Sequence, residues 1–394
     1  MVQYNKPLTI DGKPLKLLEA GKHWCIRCQK KSKAFQALRY EVHALANVIA
    51  YGVEGMTTYS IWKSERQFKD SIKNYIENGI NIITWNNEPD SPAVWIREVI
   101  DSMNAQDKVK LVVDCHDLDS IRRLEQIIPI DERKMFNMAD GIIYVSLPIQ
   151  QITNKLHTIS KSNICIYSYC NENVVDYSED DIIKRTNALV YEGGVNALGN
   201  NEINLIYPYR NLFPVFKELI ANGNEVHAIV GNTDAFITGQ TTGTVLYEPM
   251  VYDKMLKKLT EFKWGILIFN NEKDTEPQVR YTLTNKAQEY LMAGLPSITC
   301  WCAESEKWIE KHKIGIIFKH IKEIGNCAQF SGKYVEIMEN IKVKRKELIM
   351  ENYIWRLENL YAELLGLQKK QIPSKIRKLS EFEYGKKDTA LLLK

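Results

Sequence analysis

Short apolar runs alternate with longer amphipathic stretches through most of the sequence, and this alternation constrains the fold more than any other feature. An apolar run of about four to eight residues is typical of a strand buried on both faces, whereas a longer amphipathic stretch is typical of a helix. Strands separated by helices predict parallel sheets and an α/β fold. The strands predicted in the first half are Leu15–Leu18, Val48–Ala50, Ile80–Thr84, Lys110–Val113, Gly141–Val145 and Asn163–Ile166. The helices predicted between them include Lys33–Ala46, Glu65–Asn78, Ala93–Asn104 and Ser120–Ile128.

The alternation restarts after a polar, acidic stretch at residues 170–185 (CNENVVDYSEDDIIKR), which we predict to be an interdomain linker. The strands predicted in this second series are Ala188–Tyr191, Glu225–Val230, Trp264–Phe269, Ser297–Cys300 and Ile314–Phe318. The helices are Tyr209–Asn222, Met250–Thr260, Lys286–Met292 and a long amphipathic one at Gly332–Leu365. We therefore predict two Rossmann-like domains facing a central cleft, at residues 1–178 and 186–345. A C-terminal helix and basic tail, residues 346–394, is expected to pack back on the first domain.

Composition narrows the class of protein. The 394 residues have no apolar run long enough to span a membrane, and the N-terminal segment MVQYNKPLTIDGK lacks the apolar core of a secretory signal. Eight scattered cysteines, several inside apolar runs, indicate reduced thiols rather than a disulfide framework. We expect a cytoplasmic protein, with a peripheral membrane location as a further option.

The net charge of +3 does not by itself indicate nucleic-acid binding. Basic residues do collect near the C-terminus: Lys369, Lys370, Lys375, Arg377, Lys378, Lys386 and Lys387. Such a cluster is either a solvated tail or a surface that contacts anionic lipid or nucleic-acid phosphate.

Residues 285–296 (NKAQEYLMAGLP) combine a helix with a well-defined end. Lys286 and Glu289, three residues apart, share one helix face. Gly294 suits the left-handed position that ends a helix, and Pro296 prevents its continuation. Without further context, the two charged side chains would be an ordinary exposed pair.

This segment resembles the donor-site signature of glycosyltransferases with the GT-B fold, particularly retaining enzymes similar to family four. The matching positions are Asn285, Lys286, Glu289, Tyr290, Leu291, Ala293, Gly294, Pro296 and Ile298. The resemblance implies that the carboxylate of Glu289 binds the ribose hydroxyls, while basic groups and main-chain amides hold the diphosphate. It also implies a UDP- or GDP-linked sugar as donor substrate, and neither a cofactor nor a metal.

Three other segments resemble the same family. The stretch 189–194 (LVYEGG) resembles the opening of the second domain, where Gly193 and Gly194 let the backbone approach the diphosphate. Arg210 begins the following helix. Residues 112–119 and 139–146 resemble strand ends of the acceptor-side domain. One departure stands out: Tyr281 occupies the position of a second Glu that is frequent in the family. Sugar recognition is thus expected to differ. The basic pair that commonly follows the first helix of the family's second domain is also not evident, and Arg210, Lys217 and Arg280 are its candidate substitutes.

His116 and Asp117 are the predicted catalytic residues. They follow an apolar strand within the acidic segment 114–119 (DCHDLD), and in the retaining relatives a His here contacts the sugar near the scissile bond. A core or second-layer His held by an Asp is the alternative. A metal site is a further reading of the acidic cluster, and the resemblance argues against it.

Trp24-Cys25-x-x-Cys28 follows the first apolar run, where a thioredoxin-type redox centre would lie. A thiol oxidoreductase predicts an unusually acidic Cys25. The helices and strands that follow instead suit a large parallel sheet, and in the GT-B fold this loop faces the ligand. The candidate ligand-facing residues of this segment are then Gly21, Lys22 and Arg27, and Arg27 is predicted to bind the donor diphosphate.

The resemblance therefore implies a metal-independent, retaining glycosyltransferase that moves a sugar from a nucleotide sugar to an acceptor hydroxyl. The acceptor is expected to be a surface polysaccharide, a related glycan or a lipid-linked glycan. One alternative is a DNA-modifying glycosyltransferase acting on a hydroxymethylated base. Another is a non-catalytic GT-B-like binding protein, since a fold does not fix a function.

Overall fold

The structure, a computed structural model, describes residues 6–49, 52–86, 88–122, 128–274 and 276–393. The chain divides into two compact units. The first unit comprises Met1–Asn171 and Ile349–Lys394, and the second unit comprises Glu172–Leu348. The last 46 positions therefore return to the first unit, so its two parts are separated in sequence by the whole of the second.

The described part of the first unit is built on a parallel sheet, preceded by a small antiparallel pair. Its strands are β1 (Thr9–Ile10), β2 (Lys13–Pro14), β3 (Lys16–Trp24), β4 (Glu41–Ile49), β5 (Thr58–Ile61), β6 (Ile82–Asn86), β7 (Lys110–Cys115), β8 (Gly141–Tyr144) and β9 (Asn163–Cys165). Its helices before residue 171 are α1 (Ile26–Ala37), α2 (Glu65–Glu77), α3 (Ser91–Ser102), α4 (Asp119–Arg122), α5 (Ile130–Met138) and α6 (Leu147–His157).

The second unit repeats the same plan. Its strands are β10 (Thr186–Gly193), β11 (Val226–Val230), β12 (Val245–Tyr247), β13 (Phe262–Ile268), β14 (Ser297–Cys300) and β15 (Gly315–Ile317). Its helices are α7 (Glu179–Ile183), α8 (Asn201–Ile206), α9 (Phe213–Ala221), α10 (Thr233–Gly239), α11 (Tyr252–Leu259), α12 (Pro277–Tyr281), α13 (Asn285–Ala293), α14 (Ala303–His312) and α15 (Ser331–Glu347). The helices α16 (Trp355–Leu365), α17 (Ser374–Tyr384) and α18 (Lys386–Leu393) then belong to the first unit.

The strand order decides where a ligand can bind. Among the described residues the first sheet runs β5-β4-β3-β6-β7-β8-β9 and the second β12-β11-β10-β13-β14-β15, with every neighbouring pair parallel. In each sheet the first long strand, β3 or β10, lies inside the sheet. The next strands in the chain extend the sheet on one side of it and the later strands extend it on the other side, which is the Rossmann arrangement. Ligands of such sheets bind beyond the carboxyl ends of the strands where the order reverses. These switch points lie between β3 and β6 and between β10 and β13.

The prediction of parallel α/β domains is confirmed, but two predicted helices were wrong. The stretch 33–46 is not one helix: α1 ends at Ala37, Arg39 turns the chain with a positive φ of 68°, and β4 begins at Glu41. The apolar residues Val42, Ala44 and Leu45 are buried in the sheet instead. The predicted helix 332–365 is interrupted after Glu347, where the chain passes from the second unit to the first.

Other predicted boundaries moved by smaller amounts. The predicted linker contains α7, whose first turn is closed by a reciprocal pair of hydrogen bonds between Ser178 and Asp181. The predicted helix Ser120–Ile128 overlaps α4, and residues 123–127 of it lie outside the described residues, as does Ala50 of the predicted strand Val48–Ala50. The basic tail folds as α17 and α18. Within the described residues, no helix combines the length and the apolar character that crossing a membrane requires.

Candidate functional site

The carboxyl edge of the second sheet is shaped by two glycines. Gly193 ends β10 with a φ of 120°, a conformation that side chains rarely adopt. A Cβ there would lie 2.9 Å from Lys286 Nζ, and a Cβ on Gly194 would lie 3.5 Å from the Arg210 guanidinium carbon. The backbone of this turn is therefore directly flanked by two cations. The structure therefore brings together four of the residues that the sequence analysis placed at the donor site.

Lys286 stands in the first turn of α13, with aromatic rings around its ammonium group. Its Nζ lies 5.1 Å from the ring centre of Tyr191 and 4.9 Å from that of Phe269. Burial opposes the charge, but Tyr191 and Glu192 outweigh it, so the pKa of Lys286 lies above its ordinary value. In the described chain no carboxylate lies within 4.0 Å of this ammonium group. It remains a protonated cation held by ring faces.

Arg210 is held in a similar way. It ends the short 3₁₀ helix Pro208–Arg210, and its guanidinium carbon lies 5.2 Å and 5.6 Å from the ring centres of Tyr207 and Tyr209. Its carbonyl accepts a hydrogen bond from the Asn196 amide at 2.9 Å, which fixes the backbone next to Gly194. The guanidinium, partly exposed, has no carboxylate partner among the described residues.

Glu289 lies one turn further along α13 and is only 1% exposed. The position of this helix is fixed by its neighbour Tyr290, whose hydroxyl donates to the Ile266 carbonyl at 2.9 Å and accepts from the Glu192 amide at 3.3 Å. Gly265 permits this contact, because a Cβ there would lie 2.6 Å from the Tyr290 ring. Gly294 then ends α13 in the left-handed conformation, with φ 69°, as the sequence predicted.

The other predicted donor-side residues lie around α13. Asn285 is the exposed first residue of that helix. Arg280, at the end of α12, is bound to Asp274, with Nε 2.9 Å from the Asp274 Oδ1. An arginine already paired with a carboxylate is a weaker candidate for a phosphate ligand than Arg210. Lys217 lies within α9.

The carboxyl edge of the first sheet holds a buried charge cluster, defined here as Glu19, Arg27, Lys31, Asn86 and Asp114. Lys31 Nζ lies 2.5 Å from Asp114 Oδ2 and 3.0 Å from Glu19 Oε2. Arg27 Nε lies 3.0 Å from Asp114 Oδ2. The amide of Asn86 donates to Glu19 at 3.0 Å. Every charged member is at most 3% exposed.

The membership of Arg27 in this cluster bears on its predicted role as a ligand of the donor diphosphate. Its guanidinium also donates to the Ile166 carbonyl at 3.0 Å, so its contacts are with the first sheet itself. Although burial opposes the charge of Asp114, Arg27 and Lys31 hold the pKa of that carboxyl well below its ordinary value. The predicted role of Arg27 on the donor diphosphate therefore gains no support from its position. Gly21 and Lys22, expected in a loop, lie within β3.

His116 and Asp117 follow β7 beside this cluster. His116 Nε2 lies 3.5 Å from Asp114 Oδ1. Burial disfavours the imidazolium, but the Asp114 carboxylate outweighs it and the Cys25 thiol adds to the effect, raising the pKa of His116 to about 9. Asp117 is bound by Arg122 Nη2 at 2.7 Å. Both side chains remain partly exposed, His116 as a protonated donor and Asp117 as an ion-paired carboxylate.

Sequence reasoning missed several members of these two edges. Lys31, in the run KKSK, was not predicted to belong to a site, yet it is fully buried. The signal was Glu19, a carboxylate in the middle of an apolar strand, which requires a buried cation. Tyr191 and Phe269, the rings that flank Lys286, are the last residues of the predicted strands Ala188–Tyr191 and Trp264–Phe269. In the part of the chain that the structure describes, no group of three or more His, Cys, Asp or Glu side chains is arranged to hold a metal ion.

Comparison with known proteins identifies the fold. Residues 227–357 match the family model described as "Glucosyltransferase 3-like, C-terminal domain". No curated protein matches the chain. Among solved structures, sucrose-phosphate synthase from Thermosynechococcus elongatus is similar, with a TM-score of 0.62 at 10% identity over 89% of this chain and 99% of that one.

Two further structures have the same architecture. Anabaena HepE in complex with UDP gives a TM-score of 0.61 at 12% identity, over 89% of this chain and 100% of that one. An alpha-glucosyltransferase in complex with UDP and a 13-mer DNA containing a HMU base gives 0.54 at 11% identity, over 96% of this chain and 100% of that one. The two Rossmann-like units and these likenesses confirm the predicted GT-B fold. The match of residues 227–357 to a glucosyltransferase-type domain supports the prediction of a glycosyltransferase.

Proposed function

We propose that this chain is a glycosyltransferase that binds a UDP-linked sugar at the carboxyl edge of its second sheet and transfers the sugar to an acceptor hydroxyl. The observation that carries the proposal is the Gly193 turn, flanked by Lys286 and Arg210. Both cations rest against aromatic rings instead of carboxylates. They are thus available to an anion such as a diphosphate.

The chemistry of sugar transfer suits this arrangement. The transition state resembles an oxocarbenium ion, and negative charge grows on the departing diphosphate. Lys286 and Arg210 would stabilise that charge without a metal ion, together with main-chain amides of the Gly193 turn. Glu289, on the same helix as Lys286, would accept hydrogen bonds from the ribose hydroxyls. UDP is the first choice of nucleotide because two of the similar structures hold it.

The roles on the other unit rest on the family resemblance. We assign His116 to the sugar near the scissile bond, where its protonated ring would donate a hydrogen bond, and Asp117 to the acceptor side. Transfer with retention of anomeric configuration is part of the same proposal. Tyr281 replaces the second Glu of the family, so the sugar hydroxyls would be recognised by a different set of groups.

Nucleotide-sugar binding tests the proposal directly. We expect a UDP-sugar at about 100 times its Kd to stabilise the protein by about 2.7 kcal/mol, which raises the Tm. Glu289→Ala and Lys286→Met should abolish this shift. Lys258→Met is the matched control, because Lys258 also lies over a ring, 4.4 Å from the Tyr247 centre, but elsewhere in the second unit.

Two results would contradict the proposal. No rise in Tm with any UDP- or GDP-sugar would exclude a donor site. A rise that Lys286→Met leaves intact would place the donor somewhere else. Binding without any hydrolysis or transfer would favour the alternative of a non-catalytic GT-B-like protein.

The acceptor is proposed to be a glycan or lipid-linked glycan, with a hydroxymethylated base in DNA as the second candidate. The second candidate is favoured by the similarity to an alpha-glucosyltransferase in complex with HMU-containing DNA and by the exposed cations Lys375, Arg377 and Lys378 on α17. Duplex DNA binding that weakens steeply with salt would support it. If binding to duplex DNA is absent or insensitive to salt, the glycan or lipid-linked glycan remains the proposed acceptor.

A further inference from the structure

The sequence Trp24-Cys25-x-x-Cys28 places two thiols in direct contact. Cys25 is the residue that precedes α1, and Cys28 lies in the first turn of that helix. The two sulfur atoms are 3.2 Å apart, while both side chains pack against the same apolar group around Trp24 and Ala44. Sulfur atoms at this separation need only a small side-chain rotation to form a disulfide.

The two thiols have different surroundings. Cys25 is partly exposed, whereas Cys28 is only 1% exposed. The hydrogen bond from Cys28 and the imidazolium of His116 outweigh burial and hold the pKa of Cys25 well below its ordinary value. Burial and the neighbouring Cys25 raise the pKa of Cys28. Cys25 is thus the more accessible and more acidic thiol, while Cys28 is sheltered and less acidic.

The charged groups around the pair come from the strands β3 and β7, from the residue after β7, and from α1. His116, after β7, is held by Asp114 and faces Cys25. Lys31 and Glu19 are the charges that act on Cys28, and they largely offset each other because they form an ion pair. The positive charge that stabilises a thiolate is therefore concentrated on Cys25.

The remaining cysteines supply a contrast within the same chain. Cys300 and Cys302 are also close in sequence, but both are buried and burial raises the pKa of each thiol. Burial likewise raises the pKa of Cys327 to about 11. These thiols are expected to be inert toward mild oxidants.

We propose that Cys25 and Cys28 form a reversible redox site, in which Cys25 attacks a low-molecular-weight disulfide and Cys28 resolves the product into an intramolecular disulfide. The first step forms a bond between Cys25 and one sulfur of the disulfide and releases the other half as a thiolate. In the second step Cys28 gives up its proton and attacks the Cys25 sulfur, which releases the half that was bound to Cys25 as a second thiolate. The protein loses two electrons and two protons, and the disulfide becomes two thiols.

Glutathione disulfide is a suitable probe for the full-length protein. After incubation, free thiols are alkylated and the peptides are identified by mass spectrometry. We expect the peptide that contains Cys25 and Cys28 to lose two hydrogens and resist alkylation until dithiothreitol is added. Cys28→Ser should instead accumulate glutathione on Cys25, and Cys25→Ser should accumulate none at Cys28.

Cys327→Ser is the control variant, because it removes a buried thiol from the second unit and should leave the disulfide unchanged. His116→Gln provides a second readout: the rate of Cys25 alkylation should then rise at a higher pH than in the wild type. The proposal is overturned if Cys25 and Cys28 stay fully alkylatable in glutathione disulfide, or if Cys28→Ser carries no glutathione. Either readout is independent of nucleotide-sugar binding, so it stands or falls separately from the proposed function.

Discussion

The carboxyl edges of the two sheets carry similar cations but neutralise them in different ways. In the first unit, Lys31 and Arg27 are bound by the buried carboxylates of Glu19 and Asp114. In the second unit, Lys286 lies between two aromatic rings and Arg210 lies over two others. The position at the switch point is the same, and the strand order agrees over six strands, the first sheet having β9 in addition.

The difference distinguishes cations that stabilise the fold from cations that remain available to bind a ligand. A carboxylate neutralises a buried cation and satisfies its donors, which makes removal of either partner costly. A ring face stabilises a cation more weakly and leaves its N–H groups directed elsewhere. The cations of the first edge are therefore neutralised within the protein, whereas those of the second edge are the ones that we propose to bind the diphosphate.

Replacing the two lysines by methionine tests this comparison with the largest expected effect. Lys31→Met leaves Asp114 and Glu19 buried with too little positive charge, and should lower the free energy of unfolding by about 3–5 kcal/mol. Lys286→Met should lower it by about 1 kcal/mol or less, while removing nucleotide binding. Chemical denaturation of both variants gives the measurement. Equal losses would mean that the second edge is as structural as the first.

Gly193→Ala should have a smaller effect on stability and a specific effect on binding. The positive φ costs about 1–3 kcal/mol for a residue with a Cβ, and the new methyl group would displace the Lys286 ammonium group. Gly199→Ala is the control, since φ is 81° there and nothing lies within 4 Å of the added Cβ. Calorimetry with UDP should show weakened binding for Gly193→Ala alone. Weakened binding in both variants would argue that strain, rather than the Lys286 position, is responsible.

The titration of His116 tests the first edge with the smallest effect. We expect the ring, followed by NMR, to titrate near pH 9, and Cys25→Ser to lower the midpoint because it removes a group that raises the pKa of His116. His43 is the internal reference, since burial lowers its pKa. Because the folded-state pKa of His116 is raised, its stabilising contribution is complete below about pH 6.5 and is lost as the pH rises through about 9. A midpoint below that of His43 would contradict the charge network described here.

Much of the architecture was predictable because buried parallel strands are continuous apolar runs. The segment around Lys286, Glu289 and Gly294 was also predictable, since its residues are neighbours in sequence. The partners of Arg27 were not, because Asp114 and Ile166 lie far along the chain and are brought together only by the parallel strand order. The interruption after Glu347 was missed because residues 348–354 (LIMENYI) contain neither the glycine nor the proline that usually marks the end of a helix.

The return of residues 349–393 to the first unit sets an order of events during synthesis. Tyr361 stacks on Phe35 with ring centres 5.8 Å apart, and Arg356 donates to the Cys165 carbonyl at 3.0 Å. A nascent chain that has emerged as far as Asn171 holds every strand of the first sheet but none of these partners. Translation of the second unit then takes on the order of ten seconds or more at about 5–20 residues per second. The second unit is therefore the first to be synthesised completely. Until residues 349–393 emerge, apolar surface of the N-terminal sheet stays exposed and accessible to chaperones.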